Sequence, residues 1–179
     1  MAQIELLAEQ VVLVDETGSA IGTAPKSTIH GPDTPLHLAF SCYVLNPLGQ
    51  VLITRRALAK KTWPGVWTNS FCGHPLPHES IPDAIDRRAR FELGLDLDDV
   101  TVTLPDFRYR AVDSSGIVEN EICPVYLAIA SGDPIPNPDE VVEFAWVDPA
   151  TLRRSVLDLP WAFSPWLGLQ LKELTGFAT

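Results

Sequence analysis

Apolar positions along this chain fall mainly in short runs rich in Val, Ile, Tyr and Phe, the pattern of strands and hairpins rather than of long helices. Gln10–Asp15, His37–Leu45, Gln50–Thr54, Thr68–Gly73, Val100–Leu104, Arg108–Val112, Ile117–Ala130 and Val141–Val147 are expected as strands. Asn-Pro-Leu-Gly and Ser-Ser-Gly between them read as turns, and the proline-rich Asp133–Asp139 as a loop. One segment switches to helical spacing. Ile81, Ile85, Ala89 and Leu93 recur every four residues, with Ser80 placed to cap, Pro82 and Asp83 suited to the first turn, and Gly94 to close. Arg88 and Glu92, also four apart, lie side by side on a neighbouring stripe. Asp148-Pro149 starts a second helix, and Trp161 to Leu174 reads as a terminal one. The expected fold class is α/β (α+β): a mixed sheet between helices. Met1 to about Glu9 and the tail after Leu174 carry no pattern.

At 179 residues and 46% hydrophobic content, the chain suits one domain over 1–179, its core spanning about 26–170, that needs no disulfide or structural metal merely to fold. No apolar run is long enough to span a bilayer, and no secretion signal opens the sequence. Three cysteines, Cys42, Cys72 and Cys123, show no disulfide-like spacing, which suits a reduced, cytoplasmic setting. The net charge of −10 argues against general nucleic-acid binding. The basic residues are nevertheless uneven: Lys26, Arg55, Arg56, Lys60, Lys61, Arg87, Arg88 and Arg90 all precede residue 91. Such a bias fits either scattered solvated side chains or a local cationic pocket for a small anion.

Four histidines occur, His30, His37, His74 and His78. Alternation puts His37 on a face with Ala39 and Ser41, Cys72 with His74, and Glu119 with Glu121. Two carboxylates on one face of an apolar strand repel unless a cation or proton lies between them. If that face is inward, the imidazoles are natural co-ligands for Mn²⁺, Zn²⁺ or Fe²⁺; if it is the wet face of an edge strand, the pair is simply solvated.

Gly73, Glu79, Arg87, Glu92 and Gly94 follow the spacing of a Nudix box, a loop–helix motif whose glutamates hold Mg²⁺ against a diphosphate. Arg88 and Phe91 stand where that motif carries further glutamates, so the resemblance implies the Nudix fold without Nudix hydrolysis. Longer blocks, L-H-L-A-F-S, T-R-R-A-L-A-K-K-T-W-P-G-V-W-T-N-S-F-C-G-H-P, P-D-F-R-Y-R-A, S-G-I-V-E-N-E-I-C-P-V and P-W-A-F-S-P-W, resemble the type I isopentenyl-diphosphate isomerases over about Lys26 to Trp166.

That resemblance implies interconversion of isopentenyl and dimethylallyl diphosphate by a 1,3 proton shift, with a Nudix-type diphosphate hydrolase as the alternative. It assigns Cys72 and Glu121 as the proton-transfer pair, Trp166 as the ring facing the cation, and Tyr109 as a phenol tuning Glu121. His30, His37, His74, Glu119 and Glu121 would hold one Mn²⁺ (or Mg²⁺ or Zn²⁺). Lys26, Arg56, Lys60 and Arg88 would hold the diphosphate, with a second ion, Mg²⁺, bridging it to Glu92. Arg55 and Arg87 should point away, and His78 matches no ligand. The implied partner is a small diphosphate, with no nucleic acid or membrane, acting on a monomer or homodimer.

Overall fold

Phe40, Cys42 and Val44 face one way along their strand, and Ser41 and Tyr43 the other, yet all five are fully or almost fully buried. A strand covered on both faces needs a layer on each side, and this strand is the centre of such a sandwich. The computed structural model describes residues 9–175; the ends without pattern lie largely outside them.

Among the described residues, twelve strands form two sheets. The smaller contains β1 (Gln10–Val14), β2 (Ala20–Pro25), β3 (His37–Leu38), β9 (Arg108–Val112) and β10 (Val118–Ile122), ordered β2-β1-β3-β10-β9. The larger runs β12-β5-β4-β11-β8, from β4 (Phe40–Leu45), β5 (Val51–Arg56), β8 (Asp98–Leu104), β11 (Val125–Ile129) and β12 (Val141–Val147). Short β6 (Trp67–Thr68) pairs with β5, and β7 (Phe71–Gly73) with β4. Both sheets are mixed: β10 runs parallel to β3, and β11 parallel to β4.

The described residues also form four α-helices: α1 (Lys26–Ile29), α2 (Ile81–Leu93), α3 (Pro149–Asp158) and α4 (Pro165–Glu173). Ala84, Ile85, Ala89 and Leu93 of α2 join Phe40, Cys42, Val44, Leu52 and Phe71 in one apolar layer. Leu152 and Val156 of α3 and Trp166, Leu167 and Leu171 of α4 join Tyr43, Ile53, Tyr109 and Val125 in the other. Among the described residues no helix is long and apolar enough to cross a membrane.

The expected limits of α2 hold: the Ser80 side chain accepts from Asp83 N, and Gly94 adopts φ 63°. The proline-rich loop has a task there. Ile135 N donates to Leu93 O at 2.7 Å and Asn137 N to Glu92 O at 2.9 Å, satisfying carbonyls that a helix end otherwise leaves bare.

Four expectations need correction. The run His37–Leu45 breaks at Ala39, so His37 belongs to the smaller sheet and Ser41 to the larger. The run Ile117–Ala130 breaks at Cys123-Pro124, where proline has no N–H for a ladder. The terminal helix starts only at Pro165, after a 3₁₀ turn over Pro160–Ala162. Strand β2 and helix α1 were not expected; β2 is almost wholly exposed, so it carries no apolar stripe to read.

Gly73 ends β7, close to Phe40 and Arg88. A Cβ there would lie 2.8 Å from Phe40 Cζ and 2.9 Å from Arg88 Cγ. Gly73→Ala should therefore destabilise the protein by about 1–3 kcal/mol, read as a lower urea midpoint with unchanged slope.

Candidate active site

The two sheets meet along a cavity of about 450 Å³. The larger sheet brings Cys72 and Arg56 to its wall, the smaller brings Tyr109, Glu119 and Glu121, and α4 brings Trp166. Lys26, Lys60, Arg88, His30 and His74 complete the working surface. Cys72 and Glu121 thus come from different sheets and face one space.

At one side of the cavity the histidines converge. Parallel pairing sets Glu121 opposite His37, and the turn after α1 delivers His30. Ring centroids lie 5.3 Å apart for His30 and His37, 5.8 Å for His30 and His74, and 5.1 Å for His37 and His74. Glu121 Oε1 is 3.1 Å from His74 Nε2 and 3.5 Å from His37 Nε2, and those two nitrogens are 3.3 Å apart. One ligand atom from each of His30, His37, His74 and Glu121 lies within 4.8 Å of all the others.

The donor set fits a divalent cation. His37 Nδ1 sits 2.9 Å from Pro35 O, so that nitrogen carries a proton, and in the neutral ring Nε2 would turn a lone pair toward the cluster. His30 Nε2 and Glu119 Oε2 are 3.0 Å apart, but they are not aligned as a hydrogen bond, and both are buried without a hydrogen-bond partner. Glu119 is oriented by Thr62, whose hydroxyl donates to Oε1 at 2.8 Å. Buried polar atoms left without partners, such as His30 Nε2 and Glu119 Oε2, are what a cation satisfies.

Charge confirms how tightly the cluster is balanced. Burial works to raise the Glu121 pKa, yet the hydrogen bonds and charges of His37 and His74 hold it well below the carboxylate range. Burial pushes His74 down to about 3 against the pull of Glu121. For His37, burial opposes the charge but Glu121 and Pro35 O carry the pKa upward.

Burial also pushes the Cys72 thiol up to about 12, with Ser41 opposing. Its Sγ lies 3.2 Å from Ser41 Oγ and 3.3 Å from Asn69 Oδ1. Tyr109 is the register partner of Glu121, and burial and the two glutamates hold its phenol well above its usual pKa. Tyr109, Trp63 and Trp166 form an aromatic corner, with Trp166 centroid distances of 5.8 Å and 5.3 Å to the other two. The Arg56 guanidinium carbon is 5.4 Å from the Trp166 centroid, so this indole already has a cation over it.

The other end is cationic. Lys26 Nζ lies 2.6 Å from Glu9 Oε2; Lys60 pairs with Glu140; Arg88 pairs with Glu92 and lies 3.4 Å from Glu140. Burial, then repulsion from Arg56, Arg88 and Lys26, brings Lys60 down to about 8 despite the pull of Glu92. Arg56 spends Nε and Nη2 on the carbonyls of Thr62 and Trp63, which braces the loop above the cavity. Burial would raise Glu92, but Arg88 and Lys60 hold it ionised; its carboxylate lies behind Arg88. Arg55 bonds to Glu143 and Arg87 to Glu79 and His74 O, both off the cavity wall as expected. His78 is exposed. The Arg88 guanidinium carbon lies 5.0 Å over the Phe91 ring.

Several participants carried no legible signal. Glu9 and Glu140 reach the cations from distant parts of the chain. Ser41, Asn69 and Gln170 are fully buried neutral groups, inside or beside the quoted blocks, and only their burial singles them out.

Known proteins share this fold and much of this sequence. A NUDIX domain is matched over residues 35–167. A protein of Agromyces mediolanus named isopentenyl-diphosphate Delta-isomerase is 64% identical over 167 residues, covering 93% of this chain and 81% of its own. One of the same name from Paenarthrobacter aurescens is 60% identical over 93% of this chain and 90% of its own. Among solved structures, a Deinococcus radiodurans protein superposes with TM-score 0.71 at 20% identity, over 92% of this chain and 98% of its own. A MutT NUDIX hydrolase from Burkholderia pseudomallei gives 0.59 at 23% identity, over 78% and 98%. At such identity these last two speak for the fold alone.

The cations gathered at one end of the cavity should favour an anion there. Inorganic pyrophosphate should raise the melting temperature. A bound anion raises the Lys60 pKa, so affinity should be flat below about pH 8, where Lys60 is already charged. Above that pH binding must also take up a proton, so affinity should fall, by up to about tenfold per pH unit. Thermal-shift titrations across the range measure both effects.

Proposed function

Because the chain belongs to the isopentenyl-diphosphate Delta-isomerase family of NUDIX-domain proteins, we propose that this cavity moves a proton across the allylic unit of a bound diphosphate, with Cys72 and Glu121 on either side. The protein is an enzyme that interconverts isopentenyl diphosphate and dimethylallyl diphosphate. The observation that carries the residue assignment is the one just described: a thiol from one sheet and a carboxylate from the other line the same cavity.

An unactivated alkene is a very poor base. Protonating its terminal carbon leaves a tertiary cation, and a different proton must then depart from the carbon nearer the diphosphate. Two groups on opposite faces do this without turning the substrate. Cys72 and Glu121 take those places, exchanging the roles of donor and acceptor with the direction of reaction. Trp166 faces the cation between them; in a dry pocket its π face contributes about 2 kcal/mol, about thirtyfold in rate. The Tyr109 phenol, kept protonated beside two carboxylates, serves as the hydrogen-bond donor that tunes Glu121.

His30, His37, His74, Glu119 and Glu121 hold one divalent ion in this reading, Mn²⁺ by preference, or Mg²⁺ or Zn²⁺. When bound, that ion supplies positive charge that fixes the Glu121 carboxylate and tempers its basicity. Lys26, Arg56, Lys60 and Arg88 hold the diphosphate. Glu92 would hold Mg²⁺ together with diphosphate oxygens, and in the free protein Arg88 occupies that carboxylate. The hydrolase alternative is less supported, since an apolar ring and a guanidinium stand at Phe91 and Arg88. Residues 26–170 form the core of the unit, working as a monomer or homodimer without nucleic acid or membrane. The free thiols Cys42, Cys72 and Cys123 suit the cytoplasm.

Cys72→Ala and Glu121→Gln should each lower kcat by at least about a thousandfold with the fold retained. The assay follows dimethylallyl diphosphate formation and solvent deuterium entering isopentenyl diphosphate. Phosphate release without allylic product would sink the reading. Dialysis against a chelator should lower both activity and melting temperature, and Mn²⁺ should restore both; an unchanged melting temperature would count against the histidine cluster as a cation site.

A further inference from the structure

Behind the cavity wall lies a set of buried polar side chains that the proton shift as described does not use. Asn69, between β6 and β7, is fully buried. Its amide nitrogen donates to Cys42 O at 3.0 Å and Phe71 O at 2.8 Å. Those residues are register partners on β4 and β7, so two carbonyls fixed by strand pairing decide which way the amide faces. Reversing it would set oxygen against both carbonyls and an NH₂ group against an indole N–H.

The oxygen held in that orientation has three donors. Trp166 Nε1 donates to Asn69 Oδ1 at 3.0 Å, Thr68 Oγ1 at 2.9 Å, and Cys72 Sγ at 3.3 Å. A single atom therefore ties the thiol to the indole. On the other side of the thiol stands Ser41 Oγ, which accepts from Gln170 Nε2 at 2.8 Å, while Gln170 Oε1 accepts from Tyr43 OH at 2.7 Å. Ser41 Oγ also lies 3.4 Å from Cys123 Sγ.

We propose that Asn69 is a positioning residue for the allylic proton shift. Its Oδ1 fixes the Cys72 sulfur and the Trp166 ring relative to each other, so that both address the same carbon skeleton. This rests on the roles given above to Cys72 and Trp166. An asparagine that merely bridged two strands would act through its nitrogen, and its oxygen could be lost cheaply. A positioning asparagine acts through its oxygen, and small displacements at reacting groups are costly in rate.

Asn69→Asp, held protonated by burial beside two carbonyls, keeps the acceptor oxygen and one donor, whereas Asn69→Leu keeps neither. With metal-loaded enzyme and isopentenyl diphosphate, Asn69→Leu should lose about a hundredfold in kcat with KM within about threefold, because the diphosphate end is untouched. Asn69→Asp should stay within about tenfold of the parent. Trp166→Phe, which removes the N–H and keeps a ring, should lose about tenfold, and Asn69→Leu in that background should cost clearly less than it does alone. Equal damage from Asp and Leu, or losses that multiply fully in the double variant, would overturn the proposal. If Asn69→Leu does not fold, Asn69→Ala takes its place, with the same expected losses and the same results overturning the proposal. Cys72→Ala in the same assay separates the two levels. An active Cys72→Ala refutes the roles above, while an inactive one beside a fully active Asn69→Leu refutes only the positioning.

Discussion

A carboxylate buried among three imidazoles is the constraint on which the rest of the site depends. Glu121 is 4% exposed, and an ionised carboxyl in such surroundings is costly unless opposite charge or well-placed donors meet it. Two imidazole nitrogens lie within 3.5 Å of it. Other nearby lone pairs, on His30 and Glu119, have no hydrogen-bond partner. The parallel pairing of β3 and β10 places His37 against Glu121, so the sheet itself aims one at the other. A divalent cation placed among these groups would satisfy them together.

The same economy explains the rest of the cavity. One end gathers Lys26, Lys60, Arg56 and Arg88 within a protein of net charge −10. The other end is lined by Tyr109, Trp166 and Cys72. A substrate with an anionic head and a short hydrocarbon tail is oriented by that division alone. Burial, with repulsion from Arg56, Arg88 and Lys26, lowers Lys60 to about 8, and a diphosphate beside it would offset that repulsion. Glu9, Glu92 and Glu140 hold the cations meanwhile.

Much of this was legible in the sequence, and the exceptions have physical causes. Helix α2 announced itself because its caps, its apolar stripe and the Arg88–Glu92 spacing all act within a few residues. The pairing of Cys72 with His74 and of Glu119 with Glu121 followed from strand alternation. Alternation failed across Ala39, where the chain passes from one sheet to the other, because a sheet change leaves no mark on hydropathy. Strand β2 escaped notice for the opposite reason: it is exposed and has no pattern to show. Glu9, Glu140 and Gln170 meet their partners from far along the chain, and neutral groups such as Asn69 reveal their part only through burial and hydrogen bonding.

The central claim is that the imidazole–carboxylate cluster holds one divalent cation, and diffraction tests it most directly. Crystals grown with Mn²⁺ and measured at the manganese absorption edge should show one anomalous peak within about 2.0–2.3 Å of nitrogens from His30, His37 and His74 and of oxygen from Glu121. An anomalous map empty at those residues in metal-saturated crystals, with the imidazoles hydrogen-bonded to water instead, would contradict the account.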